Sequence, residues 1–383
     1  MTTPVPFDAT ADHAEPIARP AESSGAAARL GAWTVLLGTV VTIVGISWDI
    51  QWHAAVGPDT FFTLPHLLLY SGSAISGFAS LAMVLIATSA QRAGRPVPRA
   101  GGTPIRVFGA AMTAPVGYLV AGAGAASFLL YGLLDLEWHS IYGFDAVLNT
   151  PSHVALFLSI SITMIGSIIV FAADVAEFWG KLGVVLAIPI LIAFAPFPAF
   201  ALTTLALPVD PIVLGTILFS SMLLILGATL LARPGAAVAV AAALAGMQAI
   251  LWWFSPWAAE TYASAIGLPL RDNLQPYPPE LPSLIPMFLI VAAAAIECLF
   301  RLARTHGLAT GKALLIAGAA AGLIVAVSLP LQRALTYPAA HIAPADVVTV
   351  ALVGIPLGVL AGFLGGRFAT MLRTLAPLGK ELR

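Results

Sequence analysis

Charge and cysteine are scarce in this chain, and each scarcity excludes a class of protein. Only 9% of the 383 residues are charged, while 59% are hydrophobic, whereas soluble domains carry about a quarter charged residues. A water-soluble fold is therefore excluded. Cys298 is the only cysteine, which excludes an intramolecular disulfide and a cysteine-based zinc site. Any metal must therefore be bound by histidine and carboxylate.

Basic clusters are also lacking, and the formal net charge is −1. A protein that binds DNA or RNA needs a basic face to neutralise phosphates. We therefore expect no nucleic-acid partner.

Long apolar runs, by contrast, are abundant. A membrane helix needs about 20 apolar residues, and ten such runs lie between charged or Pro/Gly-rich breaks. We predict an all-α, polytopic transmembrane protein of about ten spans, with the lipid bilayer as its surroundings. The predicted spans are 30–48, 61–90, 107–134, 146–173, 182–207, 211–232, 236–254, 284–300, 313–331 and 347–366.

The distribution of basic residues predicts the orientation. If the N-terminus is cytoplasmic, only Arg271 and Arg333 of the 17 Lys and Arg residues fall outside, as the positive-inside rule requires. Both termini are then cytoplasmic, in a membrane of the bacterial cytoplasmic (inner) type. Ten acidic residues fall on the outer, periplasmic side, where desolvated carboxylates are costly unless they are hydrated or bound. Chemistry is therefore expected on that face.

Two segments on the outer side repeat one pattern, GISWDIQWHAAVGPD at 45–59 and YGLLDLEWHSIYGFD at 131–145. Each joins an outgoing span to a returning one, and the returning span supplies a further Pro and His. The paired positions are Asp49/Asp135, Trp52/Trp138, His53/His139, Gly57/Gly143, Asp59/Asp145, Pro65/Pro151 and, with a slip of one residue, His66/His153.

The repeat has the spacing of a metal site. An Asp and a His four residues apart lie on one face of a helix, and a proline in the first turn of the returning helix places the last His nearby. The predicted metal ligands are Asp49, His53 and His66 in the first copy and Asp135, His139 and His153 in the second. Two imidazoles and one carboxylate suit iron, copper or zinc, and the residues alone do not choose among them.

Four further positions of the repeat are candidates to support the ligands. Asp59 and Asp145 could accept hydrogen bonds from the imidazoles, although solvated turn residues are an equally good interpretation. Trp52 and Trp138 could surround the ligands or form an interfacial aromatic belt. A belt of interfacial polar groups would account for any single histidine, but it needs no fixed register between Asp and His.

The two patterns resemble those of the C subunit of the copper membrane monooxygenases, the particulate methane and ammonia monooxygenase family. That subunit has one pattern of the form Asp-x3-His-x12-His and a later one of the form Asn-x3-His-x13-His. The first copy matches completely, and the second matches in spacing with Asp135 in place of Asn. The resemblance covers residues 30–232. It implies copper, O2-dependent hydroxylation of a small apolar substrate, and a complex with other subunits or a homo-oligomer.

We therefore predict a disordered tail at 1–29, a six-span metal-binding core at 30–232 and a four-span membrane region at 233–383. The function expected is that of a copper-dependent membrane monooxygenase or a subunit of one, with no catalytic residue assigned. The alternatives are a non-catalytic metal-binding or metal-transport membrane protein, and a b-type cytochrome.

Overall fold

The computed structural model describes residues 25–57, 59–98, 100–143, 148–271, 278–337, 339–340 and 342–375. Most of these residues are helical. The elements in chain order are α1 Gly25–Ala55, α2 Leu64–Arg92, β1 Pro104–Val107, β2 Met112–Pro115, α3 Val116–Tyr142, α4 Pro151–Ala173, α5 Phe178–Phe194 with a following 3-10 helix Phe197–Leu202, α6 Pro211–Leu231, α7 Ala236–Ile266, α8 Glu280–Leu284, α9 Leu289–Thr305, α10 Thr310–Thr336 and α11 Pro344–Thr374.

Among the described residues, ten helical segments are long and apolar enough to cross a membrane. Two of them are composite, because α5 continues into the 3-10 helix and α8 continues into α9. The prediction of an all-α polytopic membrane protein is confirmed. The side of the membrane on which each end lies stays a prediction from the charge distribution.

Helices α1 and α3 begin at other residues than the predicted spans. Helix α1 begins at Gly25, so residues 25–29 of the predicted tail are helical, while residues 1–24 lie outside the described part. The third span begins at Val116, because residues 104–115 form an antiparallel β-hairpin. Thr88 on α2 fastens this hairpin, since its Oγ1 accepts from the Thr113 N–H at 3.0 Å and donates to the Thr113 carbonyl at 3.1 Å.

Two helical hairpins, α1/α2 and α3/α4, carry the two copies of the repeat. Their helices approach closely at small residues, as in other membrane helix pairs. A Cβ on Gly38 would lie 2.6 Å from the Gly72 carbonyl oxygen, and a Cβ on Gly124 would lie 2.7 Å from that of Ser159. The hairpins also contact each other through α1 with α4 and α2 with α3. The connecting ends of the two hairpins are thereby held side by side.

Helix α7 runs well beyond the predicted end at 254 and packs along α1. The Ser255 and Ser47 hydroxyl oxygens are 2.7 Å apart and buried. Further along, the Tyr262 ring lies 5.8 Å from that of Trp48 and 5.0 Å from that of Trp52. Helix α1 of the predicted core (30–232) is therefore in direct contact with α7 of the predicted C-terminal region (233–383).

The eighth span is interrupted between Leu284 and Leu289, and Gln332 of α10 stabilises the interruption. Its Nε2 donates to the carbonyls of Ser283 at 2.6 Å and Ile285 at 2.9 Å, and its Oε1 accepts from the Met287 N–H at 2.8 Å. Backbone groups that a broken helix leaves without partners are costly away from water. One buried side-chain amide thus supplies hydrogen-bond partners to backbone carbonyls and an N–H group at the interruption.

We expect Gln332→Leu to lower the stability of the protein by about 2–4 kcal/mol, because an unpaired buried polar group costs about 1–3 kcal/mol. Gln248→Leu is the matched variant. Gln248 Nε2 donates to the carbonyls of Pro282 and Ile285, and the second of these keeps its bond from Gln332. The apparent melting temperature in detergent should therefore fall more for Gln332→Leu than for Gln248→Leu, and the reverse order would contradict this account.

A half-buried carboxylate in the turn between α4 and α5 is expected to make stability depend on pH. Burial raises the pKa of Asp174 to about 6, against a hydrogen bond from the Gly101 N–H, and the nearby Glu177 adds to the rise. Because the pKa is higher in the folded protein than the usual 3.8, the folded state binds the proton more tightly. Stability must then fall as the pH rises between these two values.

We expect the protein to melt at a higher temperature at pH 5 than at pH 7.5, with Asp174 contributing about 1 kcal/mol of the difference. Asp174→Asn should remove that contribution and stabilise the protein at pH 7.5. The measurement is thermal unfolding of both proteins across this pH range. Parallel pH profiles for the two proteins would show that Asp174 does not titrate in this window.

Candidate metal sites

The first candidate site lies where α1 ends and α2 begins. Asp49 and His53 occupy the last turns of α1, and Pro65 in the first turn of α2 precedes His66 as the sequence predicts. His66 Nε2 lies 3.1 Å from Asp49 Oδ1, and His53 Nε2 lies 3.9 Å from the same oxygen. The three predicted ligands of the first copy are therefore brought together.

Asp59 joins this group from the loop between the two helices. Its side chain is only 1% exposed, and Oδ2 lies 3.4 Å from His66 Nδ1 and 3.7 Å from His53 Nε2. Burial raises the pKa of Asp59, the two histidines oppose the rise, and Asp49 adds to it. A solvated turn residue would show none of these features. Asp59 is thus a fourth candidate ligand of the first site.

The second candidate site lies where α3 ends and α4 begins. Asp135 and His139 are buried on the last turns of α3, and His153 lies in the first turn of α4, whose Thr150 caps the helix. Asp135 Oδ2 lies 3.5 Å from His139 Nε2, and Asp135 Oδ1 lies 3.6 Å from His153 Nε2. All three predicted ligands of the second copy therefore meet.

Within each site, the distances between the candidate ligand atoms suit the binding of one metal ion. Ligand atoms bound 2.0–2.2 Å from one ion at tetrahedral angles lie about 3.4 Å from each other. In each site the candidate ligand atoms all lie within 4.8 Å of one another. At Asp135 the carboxylate-to-imidazole distances are 3.5 and 3.6 Å, each to a different oxygen of the carboxylate.

Hydrogen bonds to the backbone orient two of the imidazoles. His66 Nδ1 lies 3.0 Å from the Thr60 carbonyl oxygen, and His139 Nδ1 lies 3.0 Å from that of Gly143. A carbonyl can only accept, so Nδ1 carries a proton, and in the neutral ring the Nε2 lone pair then faces the carboxylate. Metal-binding histidines are usually held in this way. His153 is held similarly, with Nδ1 2.9 Å from Thr150 Oγ1.

The repeated glycine explains how the backbone reaches His139. Gly143 ends α3 with φ 83°, a left-handed conformation that costs glycine little. The chain reverses there, and the Gly143 carbonyl lies against the histidine one turn earlier. The equivalent Gly57 also has a positive φ, 132°, so the repeat preserves a backbone turn as well as its ligands.

The carboxylates need a cation. Among the described residues, Asp135 Oδ1 is buried without a hydrogen-bond donor, and the buried oxygens of Asp49 and Asp59 face imidazole nitrogens at 3.1–3.7 Å. Where Nε2 presents its lone pair, it repels the facing carboxylate oxygen unless positive charge lies between them. A metal ion or additional protons on the imidazoles would supply that charge. The donor set therefore fits a divalent metal.

Both sites open into one cavity of about 370 Å³. The six predicted ligands and Asp59 all line it, and most of the remaining wall is apolar. The apolar part includes Ile46, Leu69, Phe128, Leu156, Phe157 and Phe197. Such a concave apolar chamber with a few convergent polar groups is the usual form of a small-molecule site.

Two polar residues of the cavity were not predicted. Tyr70 lies one helical turn beyond His66, their rings are stacked 5.9 Å apart, and its phenol is within electrostatic reach of Asp49, Asp59 and Asp135. The spacing of four from His66 could have identified it. Glu280 enters from the start of α8, where its N–H donates to Gln51 Oε1 at 3.1 Å, and no local pattern marks it.

The two tryptophans that were predicted to support the ligands lie away from the cavity. Trp52 is buried against Tyr262 of α7, and the half-buried Trp138 packs on Tyr142 at 4.6 Å. Neither indole lines the cavity, so a role beside the ligands is not supported for them. Asp145 lies outside the described residues.

Comparison of the chain with protein-family models, with curated proteins and with solved structures returned no match. The functional argument therefore rests on the geometry of the sites. That geometry, on ten apolar helices, fits a membrane metalloprotein.

Proposed function

We propose that this chain is a membrane metalloprotein that binds two transition-metal ions in one cavity near the periplasmic face. The observation that carries the proposal is that buried carboxylate oxygens face imidazole nitrogens from two helices at both copies of the repeat. A solvated interfacial belt would need neither the burial nor the convergence.

The metal we propose is copper, and the reaction is oxidation of a small apolar substrate with O2. Imidazole-rich sites suit copper, and the ligand spacings are similar to those of the copper membrane monooxygenases. The apolar part of the cavity wall supports the substrate class, since a chamber of about 370 Å³ has room for a small hydrocarbon-like molecule against its aliphatic and aromatic side chains.

Bound copper would supply one-electron redox chemistry and the activation of O2. The protein's own residues would do the rest. The carbonyls of Thr60 and Gly143 hold two imidazole rings in place, and Phe128 and Phe157 keep the wall beside the ligands dry. The chain acts in this proposal alone or as one subunit of a larger enzyme.

The arrangement favours fixed sites over a transport route. Within the described residues, both groups of three or more potential ligands are at the same end of the helices. A pathway would need further ligands at other depths. Uptake of metal into proteoliposomes would support transport, whereas tight, slowly exchanging metal would support the proposed enzyme.

The test is metal analysis and electron paramagnetic resonance of the purified protein, with Asp49→Ala and His139→Ala as single-site variants. We expect about two copper ions per chain in the unaltered protein and the loss of one spectral component in each variant. An optical spectrum without a Soret band would exclude the cytochrome alternative. Protein purified from native membranes without any transition metal would contradict the proposal.

A further inference from the structure

A second cavity, of about 270 Å³, lies at the opposite end of the helices from the metal sites. The end of α1 packs against the later turns of α7 through Trp48 and Phe254. The first turn of α7 is therefore at the far end, and Glu297 of α9 reaches it there, accepting from the Ala237 N–H at 2.9 Å. Glu297 lines this second cavity, which we call the inner cavity.

Three arginines from different parts of the chain line the inner cavity. Arg233 comes from the turn before α7, Arg304 from α9 and Arg373 from α11. Glu297 is the one carboxylate among the lining residues, and its Oε1 is already bonded to an amide. In the part of the chain that the structure describes, the ion pairs within 4.0 Å all involve histidine. The three guanidinium groups are therefore left with net positive charge to neutralise.

The start of α10 adds to this positive potential. Thr310 and Ala313 line the inner cavity, and the helix begins there without a side-chain cap or an acid in its first turn. The free N–H groups at the start of a 27-residue helix favour an anion, especially a phosphate. Arginine guanidinium groups bind phosphate oxygens with paired hydrogen bonds.

The cavity has an apolar side as well. Phe300, Leu308 and Leu314 line it beside the arginines, and Leu308 is 38% exposed at the end of the spans. A free phosphate would gain nothing from these side chains, whereas a phospholipid could place its phosphate on the arginines and its glycerol and upper acyl carbons on the leucines. Basic pockets between membrane helices bind lipid headgroups in this manner.

We infer that the inner cavity binds the phosphate group of an anionic phospholipid. A volume of about 270 Å³ admits the headgroup and leaves the acyl chains in the bilayer along α9 and α10. The site is independent of the metal sites, since none of its lining residues belongs to the metal-site cavity.

The test is native mass spectrometry of the full-length protein in detergent, titrated separately with phosphatidylglycerol, phosphatidylcholine and inorganic phosphate. We expect the unaltered protein to retain phosphatidylglycerol at least about tenfold more strongly than phosphatidylcholine. Inorganic phosphate at millimolar concentration should not displace the lipid. Equal retention of the two lipids, or ready displacement by phosphate, would overturn the inference.

A charge-matched pair of variants separates the inner cavity from general attraction to a basic surface. Arg233→Gln with Arg304→Gln removes two charges from the cavity, and Arg301→Gln with Arg367→Gln removes two exposed charges on α9 and α11 outside it. Retention of phosphatidylglycerol should fall about tenfold or more only for the first pair. Equal losses in both pairs would overturn the inference. Arg373 is kept because it donates to the Thr229 carbonyl. An unchanged size-exclusion profile and melting temperature would verify that the variants are folded.

Discussion

Protein in which Asp49 and Asp135 are both replaced by alanine should bind no transition metal tightly, while each single variant keeps one ion of the two. Each carboxylate faces the Nε2 atoms of two histidines. Its removal leaves Asp59 as the one carboxylate at the first site, and no carboxylate among the described residues of the second. Loss of a residue that only supports a metal ligand costs about 10–100-fold in affinity. Loss of the ligand itself should cost more than about 100-fold.

The two single variants should affect different ions because the sites lie on separate hairpins. Metal content by mass spectrometry and thermal unfolding of the metal-free proteins would be measured together. We expect the metal-free Asp135→Ala protein to be at least as stable as the metal-free unaltered protein, because it loses a buried carboxylate oxygen that lacks a hydrogen-bond donor. If all variants retained two ions, the carboxylates would not be ligands.

Asp59→Asn provides a graded comparison at the first site. Two carboxylates and two neutral imidazoles balance the charge of a divalent ion there, whereas the described residues of the second site include only Asp135 as a carboxylate. The amide keeps the shape of the side chain but removes one negative charge. Metal affinity at the first site should fall about 10–100-fold, by less than in Asp49→Ala.

The candidate metal sites could be predicted from the sequence because their geometry is local. Asp49 with His53 and Asp135 with His139 follow from the spacing of four on a helix, and the prolines before His66 and His153 place the returning helices. Asp59 was identified only as a possible support. Its burial depends on how the loop folds over the site, and no periodic pattern in the sequence indicates how a loop folds.

The shared cavity could not be predicted, because it depends on contacts between distant parts of the chain. Nothing in the sequence around Glu280 indicates that its N–H bonds to Gln51, 229 residues away. Helix α7 likewise extends beyond the predicted end at 254, and it continues through Pro256, a residue type that usually favours a helix boundary. Packing of Tyr262 against Trp48 and Trp52 accompanies the continued helix.

Gly358→Leu should prevent α10 and α11 from packing and reduce the yield of monodisperse protein severely. These helices meet through glycines, with Gly318 and Gly322 on α10 facing Gly354, Gly358 and Gly362 on α11. A Cβ on Gly358 would overlap the Gly318 carbonyl oxygen and lie 2.9 Å from the Gly322 Cα. Both neighbours are backbone atoms, so the helices themselves would have to separate.

Separation is costly in a membrane because helix association there depends on close van der Waals packing, with little hydrophobic driving force. Overpacking in ordinary cores costs about 1–3 kcal/mol, and a clash with helix backbone should reach or exceed the upper end of that range. Gly358→Ala tests the same contact with the smallest side chain and should be intermediate between Gly358→Leu and the unaltered protein.

Gly246→Leu on α7 is the matched control. Gly246 is exposed, and a Cβ there would have nothing within 4 Å, so leucine would only replace glycine on an open helix surface. Leucine also favours helix over glycine by several tenths of a kcal/mol or more. Size-exclusion profiles and melting temperatures should therefore be normal or improved for Gly246→Leu and poor for Gly358→Leu. Equal behaviour of the two variants would mean that α10 and α11 do not approach through their glycines.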